Sequence, residues 1–355
     1  RDGILIKGGE FLETSAKIDT VAVDKTGTLT EGRPQLTDVI VLNPALDRTG
    51  VLRWAALAEA GSEHPLARPI LDAAADAGVA PVGLADHTEP MPGKGIAATA
   101  GQHRVLIGNA ALLEHYDLPD TLQATRVAEE LAAAGQTPMI VAIDDTVAGV
   151  IAVADALRTD AAAMVDRLHH SGVRTVVMLT GDAPQVAHAV ATATGIDEVH
   201  AGLLPEDKLD AVAALQRRGH TVAMVGDGVN DAPALATANI GVAMGAAGSA
   251  VAVETADIAL MGDDLLKLPE AISLAKRTVN NMRQNITIAM ITVTLLLVGV
   301  LFGGVTMAIG MLVHEASVLI VIINAMRLLR RRARQPAPRF ATSCVATCRA
   351  TSCSI

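Results

Sequence analysis

Hydrophobic positions follow three patterns along the chain. The first is a set of short apolar runs, each closing in a polar turn. Residues 20–24 (Thr-Val-Ala-Val-Asp) run into Lys25-Thr26-Gly27-Thr28. Thr175–Thr180 closes at Gly181-Asp182, His220–Val225 at Gly226-Asp227, and Ile240–Met244 at Gly245. Ala-rich stretches with helical spacing separate them: Ala161–His170, Ala183–Thr194 and Lys208–Arg218. Unbroken apolar strands alternating with helices predict βα units and a parallel sheet, because such strands are covered on both faces. Ligands of such sheets sit beyond the carboxyl ends of the strands. The turns carrying Asp24, Asp182 and Asp227 fall there.

The second pattern interrupts the first. Residues 35–150 combine helical runs (Val51–Ala60, Pro65–Ala77, Ala124–Ala134) with strand runs (Gly95–Ala98, His103–Ile107, Met139–Ile143, Val147–Val153). They predict an α+β domain inserted into an α/β domain whose two parts are residues 1–34 and 151–280. The third pattern is a pair of long apolar runs within 285–328, Asn285–Phe302 and Thr306–Met326, joined at Gly303-Gly304. Each has about 20 residues, enough to cross about 30 Å of hydrocarbon. Lys276, Arg277 and Arg283 precede the pair; Arg327, Arg330, Arg331, Arg332 and Arg334 follow it. Basic flanks on both sides predict a transmembrane helical hairpin with both ends in the cytoplasm. A buried hairpin of a soluble domain is the competing reading. Residues 329–355, basic and then Cys-containing, are expected to form a disordered tail.

Composition sharpens this picture. Hydrophobic residues make up 51% of the 355-residue chain and mean hydropathy is +0.39, as a membrane hairpin requires. A formal net charge of −10 argues against nucleic-acid binding, which needs clustered Lys and Arg on phosphates. Aromatics are 1% of residues, so base-stacking platforms are excluded. The three cysteines, Cys344, Cys348 and Cys353, all lie in the tail. None can staple the core, which suits a reducing compartment. The chain opens on Arg1-Asp2-Gly3, without an initiator Met. Such a beginning is expected of the middle of a longer protein.

The turns carry the chemistry. Asp24, at a strand end, can attack a phosphoryl group and form an acyl phosphate. The Thr and Gly residues after it can present hydroxyl and amide donors to phosphate oxygens. Thr180-Gly181-Asp182 can hold the transferred group. Lys208, opening a helix in Pro205-Glu206-Asp207-Lys208, can neutralise charge that builds in the transition state. Asp227 and Asp231, in Gly-Asp-Gly-Val-Asn-Asp-Ala-Pro (226–233), can bind Mg²⁺ directly or through water. A nucleophile, a phosphate cradle, a lysine and a metal site around one crevice make a phosphoryl-transfer constellation.

The runs DKTGTLT (24–30), TGD (180–182) and GDGVNDAPAL (226–235), in this order, resemble those of P-type ATPases, a branch of the haloacid-dehalogenase superfamily. The resemblance covers nearly all of residues 1–330 and implies a C-terminal half of such a pump. It implies that ATP phosphorylates Asp24, with Mg²⁺ held by Asp24, the Thr26 carbonyl and Asp227. Phosphatases of the superfamily typically carry a second Asp two residues after the nucleophile; here that position is Thr26, so the aspartyl phosphate should persist. Ser62-Glu63-His64-Pro65-Leu66, Gly93-Lys94-Gly95 and Gly108-Asn109 resemble the nucleotide-binding domain of the heavy-metal-transporting (CPx-type) branch. By that resemblance Glu63, His64, Gly93, Gly95 and Asn109 line the ATP pocket. The α/β part then becomes a haloacid-dehalogenase-like phosphorylation domain with a Rossmann-like parallel sheet.

His314 and Glu315 fall in the middle of the second apolar run. Ionisable residues there are costly and usually functional. Imidazole with carboxylate favours a divalent transition-metal cation such as Co, Zn, Cd or Ni over Cu(I). The run His-Glu-Ala-Ser resembles the HEG-Ser/Thr motif of the cobalt-type subgroup, with Ala316 in place of glycine. A polar pair that packs helices is the structural alternative. The family's actuator domain and Cys-Pro-x membrane motif are not in the chain; the resemblance places both in an N-terminal half of the pump. Two rival readings stay open: a membrane-tethered phosphatase and a truncated, non-transporting paralogue.

Overall fold

The computed structural model describes residues 3–62, 64–79, 85–228, 231–245 and 254–330. The chain divides into two compact units, 1–276 and 277–355. In the first, the strands are β1 (Ile4–Ile6), β2 (Thr20–Asp24), β3 (Gln35–Val41), β4 (His87–Met91), β5 (Gly95–Ala100), β6 (His103–Gly108), β7 (Thr137–Ile143), β8 (Thr146–Ala154), β9 (Thr175–Leu179), β10 (Glu198–His200), β11 (Val222–Gly226), β12 (Ile240–Ala243) and β13 (Ile258–Leu260). The helices are α1 (Gly9–Ser15), α2 (Arg48–Glu59), α3 (Ala67–Asp76), α4 (Ala110–His115), α5 (Leu122–Ala133), α6 (Ala161–His170), α7 (Pro184–Thr194), α8 (Pro205–Arg217) and α9 (Ala232–Thr237).

A seven-stranded sheet has the order β1-β13-β12-β11-β2-β9-β10. All its pairs are parallel except the edge pair of β1 with β13. The expected parallel sheet is thus mixed at one edge. All five residues of β2 are buried, as a central strand covered on both faces demands. Val21 and Val23 pack with Met164, Leu168 and Ala187 of α6 and α7. Ala22 packs on the opposite face with Val212, Leu215 and Ala234 of α8 and α9. Each fully buried aliphatic side chain of this kind contributes about 1.5–3 kcal/mol. The short strands β1, β10 and β13 have too few residues to show a pattern in the sequence.

A second sheet, order β3-β8-β7-β6-β5-β4, is antiparallel throughout. One face packs Ile96, Val105, Ile107 and Val141 against Val51, Ala55 and Ile70 of α2 and α3. The other packs Leu106, Ile140 and Val150 against Leu112, Leu113 and Ala124 of α4 and α5. Strands β3 and β4 escape the apolar pattern because both are mostly exposed or half-buried.

The chain leaves the first sheet after Thr30 and returns at Leu157, and these two residues form a bridge. Asp155 holds the crossing together. Its Oδ2 accepts from Thr30 Oγ1 (2.5 Å) and Gly32 N (3.1 Å), and its Oδ1 accepts from Arg33 N (2.9 Å). Arg158 donates through Nε to Thr30 O (3.0 Å) and through Nη2 to Gly27 O (3.4 Å).

Helix α10 (Lys267–Leu301) and helix α11 (Met307–Arg330) contain the two apolar runs. Helix α10 begins well before the predicted Asn285. Its first turns bury Leu268, Ala271 and Ile272 in the first unit, so a polar-flanked core helix runs on into the apolar segment without a break. In the second unit the apolar side chains point outward: Ile286, Leu295, Leu312 and Ile323 are 61%, 66%, 73% and 63% exposed. A hairpin buried in a soluble domain would hide them, whereas hydrocarbon accepts them. The two helices meet through amides: Asn281 Nδ2 donates to Asn324 O and Asn324 Nδ2 to Asn285 Oδ1, both at 2.9 Å. Arg331, Arg332, Arg334 and the three cysteines lie outside the described residues.

Candidate active site

Register brings the candidate residues to one edge of the first sheet. Asp24 lies opposite Leu179 of β9, and Val23 opposite Val225 of β11. The residues that follow, Thr180 on one side and Asp227 on the other, flank the turn after Asp24. That turn folds on itself: Thr30 N donates to Lys25 O (3.1 Å), and Thr30 Oγ1, whose proton goes to Asp155, accepts from Gly27 N (3.2 Å). Gly27 has φ +72, and a Cβ there would stand 3.3 Å from Asp227 Oδ2. The position needs glycine for both conformation and space.

Lys208 reaches the same point from α8. Pro205 starts that helix and the Asp207 carboxylate accepts from Leu204 N (2.9 Å), an N-terminal cap that sets the first turn. From it Lys208 Nζ donates to Asp24 Oδ1 (2.5 Å) and Asp231 Oδ1 (2.8 Å). Lys25 pairs with Asp182. Thr180 is buried and its Oγ1 accepts from Asp182 N (3.1 Å). The structure therefore brings Asp24, Thr180, Asp182, Lys208, Asp227 and Asp231 together around the turn.

The electrostatics are those of a buried, crowded site. Burial and the neighbouring Asp231 push the Asp24 carboxyl up to about 7, against the pull of Lys208; Asp227 adds to the rise. Asp24 and Asp231 hold the Lys208 ammonium above its ordinary range. Asp231 Oδ2 is buried and has no hydrogen-bond partner among the described residues. Surplus negative charge and an open carboxylate oxygen fit a hard divalent cation such as Mg²⁺. Among the described residues no three His, Cys, Asp or Glu side chains form a ready-made metal cage. Mg²⁺ sites on phosphoryl substrates need none, since one or two carboxylates suffice alongside phosphate oxygens and water. Asp231 differs from the expected ligand in being engaged by Lys208, which leaves its second oxygen as the one available.

The expected nucleotide residues lie on two segments, 61–66 and 93–109. His64 is exposed; its N–H donates to Ser62 Oγ and its Nδ1 accepts from Leu66 N, both at 3.2 Å. Gly61 lies close to Thr88 of β4, the strand that leads to Gly93. Asn109 caps α4, accepting from Leu112 N (3.3 Å), and donates through Nδ2 to Gly93 O (2.8 Å). At Gly95, φ is +141 and a Cβ would lie 2.1 Å from Ile107 O. Gly95 thus serves the close approach of β5 to β6, and Asn109 positions the Gly93 loop. Glu63 lies outside the described residues. Sequence reasoning missed Glu59, the last residue of α2, which is buried with Oε2 unpartnered. Burial holds its carboxyl above the usual range, opposed by Ser62 and His64. Its helical position within an Ala- and Leu-rich stretch hid it; a charged residue on an apolar face was the available signal.

A family model described as haloacid dehalogenase-like hydrolase matches residues 18–239. The chain belongs to this family. The match of this haloacid dehalogenase-like chain to whole proteins is narrower in meaning. It is 41% identical over 333 residues to a zinc-exporting P-type ATPase of Mycobacterium marinum, covering 94% of this chain and 45% of that protein. It is 40% identical to a manganese-exporting P-type ATPase of Mycobacterium tuberculosis, covering 94% of this chain and 46% of that protein. A crystal structure of a zinc-transporting PIB-type ATPase in the E2.Pi state superposes with a TM-score of 0.69 at 43% identity, covering 92% of this chain and 52% of that one. Its relatives are thus heavy-metal P-type ATPases, and the chain spans about half their length.

His314 and Glu315 are both exposed on α11. Among the described residues no third His, Cys, Asp or Glu joins them in a metal-binding group. Asp155 and Arg158, which tie the crossing segments to the catalytic turn, were also missed; their partners lie more than a hundred residues away in sequence.

Proposed function

We propose that this chain is the C-terminal, catalytic half of an ATP-driven pump for a divalent transition-metal cation, working through a phosphorylated Asp24. The carrying observation is the Lys208 ammonium bridging Asp24 and Asp231 at 2.5 and 2.8 Å. In this reading an Asp24 oxygen attacks the γ-phosphorus of ATP. The bond from phosphorus to the bridging oxygen breaks, ADP leaves, and an acyl phosphate forms. Lys208 and the amides of the 25–30 turn meet the charge on the transferred group. Thr180 and the Lys25–Asp182 pair hold the opposite wall. Mg²⁺, when bound by Asp24, the Thr26 carbonyl and Asp227, supplies positive charge that favours the Asp24 carboxylate and clamps phosphate oxygens. Asp231 keeps Lys208 in place through Oδ1, and its open Oδ2 is the oxygen it would offer to Mg²⁺. Glu59 at the end of α2, with His64, Gly93, Gly95 and Asn109, binds ATP, and Glu63 belongs to the same set by its place in the sequence.

The ions exported by these relatives, zinc and manganese, support a divalent ion for this chain, and His314 with Glu315 are its proposed ligands in the membrane. The helices α10 and α11 cross the cell membrane, with the catalytic unit in the cytoplasm and further membrane helices supplied by the N-terminal half of the pump. The test is incubation of the full-length pump with γ-labelled ATP and a panel of metal ions. Metal-dependent, acid-stable, hydroxylamine-labile label on Asp24, absent in Asp24→Asn, is expected. Rapid phosphomonoester hydrolysis without such label would instead identify a membrane-tethered phosphatase.

A further inference from the structure

Within the second unit, α10 and α11 leave an open cleft of about 770 Å³ that no part of the proposed transport chemistry uses. Arg283 and Gln284 line it from α10, Asn324 and Arg327 from α11, and Ile320 and Ile323 extend its wall. No Asp or Glu lines it. Its polar end is built rather than loose. Asn324 is 9% exposed; its Nδ2 donates to Asn285 Oδ1 (2.9 Å) and Gln284 Oε1 (3.3 Å), and its Oδ1 accepts from Arg327 Nη1 (3.3 Å). Both guanidinium groups are exposed, and most of their donors are open to a ligand. Two cations facing one concave space repel each other, and an anion between them removes that cost. The arginines sit where the apolar runs begin and end, and isoleucines lead from them into the apolar stretch.

We propose that this cleft binds the phosphate of an anionic phospholipid, with an acyl chain lying along Ile320 and Ile323. The inference rests on reading α10 and α11 as a membrane hairpin. An anionic head above an apolar tail is the one ligand chemistry that matches both ends of the cleft, since basic pockets between membrane helices on the cytoplasmic side suit such headgroups. A transported cation is repelled by the same two arginines.

The full chain, extracted in a neutral detergent, is mixed with equal amounts of phosphatidylglycerol and phosphatidylcholine and weighed by native mass spectrometry. Retention of phosphatidylglycerol over phosphatidylcholine is expected. Arg283→Gln and Arg327→Gln should each lower that preference about fivefold, while Arg283→Lys and Arg327→Lys, which keep the charge, should retain most of it. Equal retention of the two lipids, or a preference unchanged in the glutamine variants, overturns the proposal. So does displacement of the lipid by inorganic phosphate, which would assign the cleft to the free ion. Alkaline carbonate extraction separates the two levels. A chain released from membranes defeats the hairpin reading and the lipid site with it. A chain retained without lipid preference defeats the site alone.

Discussion

Asp24, the proposed nucleophile, is held where its charge is disfavoured. The free carboxyl ionises near 3.8, and in the folded, metal-free protein it does so at about 7. A raised pKa means that the folded state binds the proton more tightly than the unfolded chain does. This stabilising contribution is full below the unfolded value and is lost as pH rises through about 7. Asp24→Asn should therefore stabilise metal-free protein most at pH 8, by at most about 4 kcal/mol, with the gain shrinking toward pH 4. Chemical denaturation across that range reads it. Saturating Mg²⁺ should stabilise the native Asp24 protein and narrow the difference. Gly27→Ala tests the turn: a left-handed residue strained by about 1 kcal/mol, with its methyl 3.3 Å from Asp227 Oδ2. Less phosphoenzyme and a higher Mg²⁺ requirement are expected in a labelling titration. At Glu59, a buried carboxylate oxygen without a partner among the described residues costs stability that a ligand donor can offset. Glu59→Gln should weaken ATP binding about tenfold, or ~1.4 kcal/mol, without lowering the melting temperature; calorimetry and a thermal melt together check this.

Between elements, the crossing at Thr30–Arg33 and Asp155–Arg158 decides how the two sheets communicate. Asp155 accepts three hydrogen bonds from one segment, and Arg158 links the other to the Gly27 carbonyl in the catalytic turn. Asp155→Ala leaves three donors without their acceptor and should cost about 2–3 kcal/mol, measured by denaturant unfolding. Arg158→Met keeps the aliphatic stem and removes the donors. It should slow phosphorylation of Asp24 several-fold in rapid-quench experiments while ATP affinity stays near its normal value. A loss of affinity equal to the loss of rate would show that Arg158 acts on binding instead. The helices behave as their sequences demand: Pro205 and Asp207 start α8 where Lys208 must point at Asp24.

At the scale of the molecule, one helix runs unbroken over Lys267–Leu301. Helix α10 buries its first turns among the residues that support the catalytic sheet and then exposes Ile286 and Leu295. If the proposed pump relays metal binding through this helix, inserting two glycines after Lys276 should leave labelling of Asp24 by inorganic phosphate intact in the full-length protein while abolishing metal-stimulated ATP turnover. Loss of both signals would point to simple unfolding.

The sequence alone determined what local chemistry and periodicity encode. Unbroken apolar runs implied a sheet covered on both sides, the turns after them placed Asp24, Asp182 and Asp227 at one strand-end edge, and two apolar runs with basic flanks pointed to a helical hairpin. What depends on residues far apart in the chain was decided only by the fold. The antiparallel edge at β1, the engagement of Asp231 by Lys208, the latch at Asp155 and the buried Glu59 all arise from partners that no spacing predicts. Their energies come from burial and from hydrogen bonds closed across long loops, and neither exists until the chain has folded.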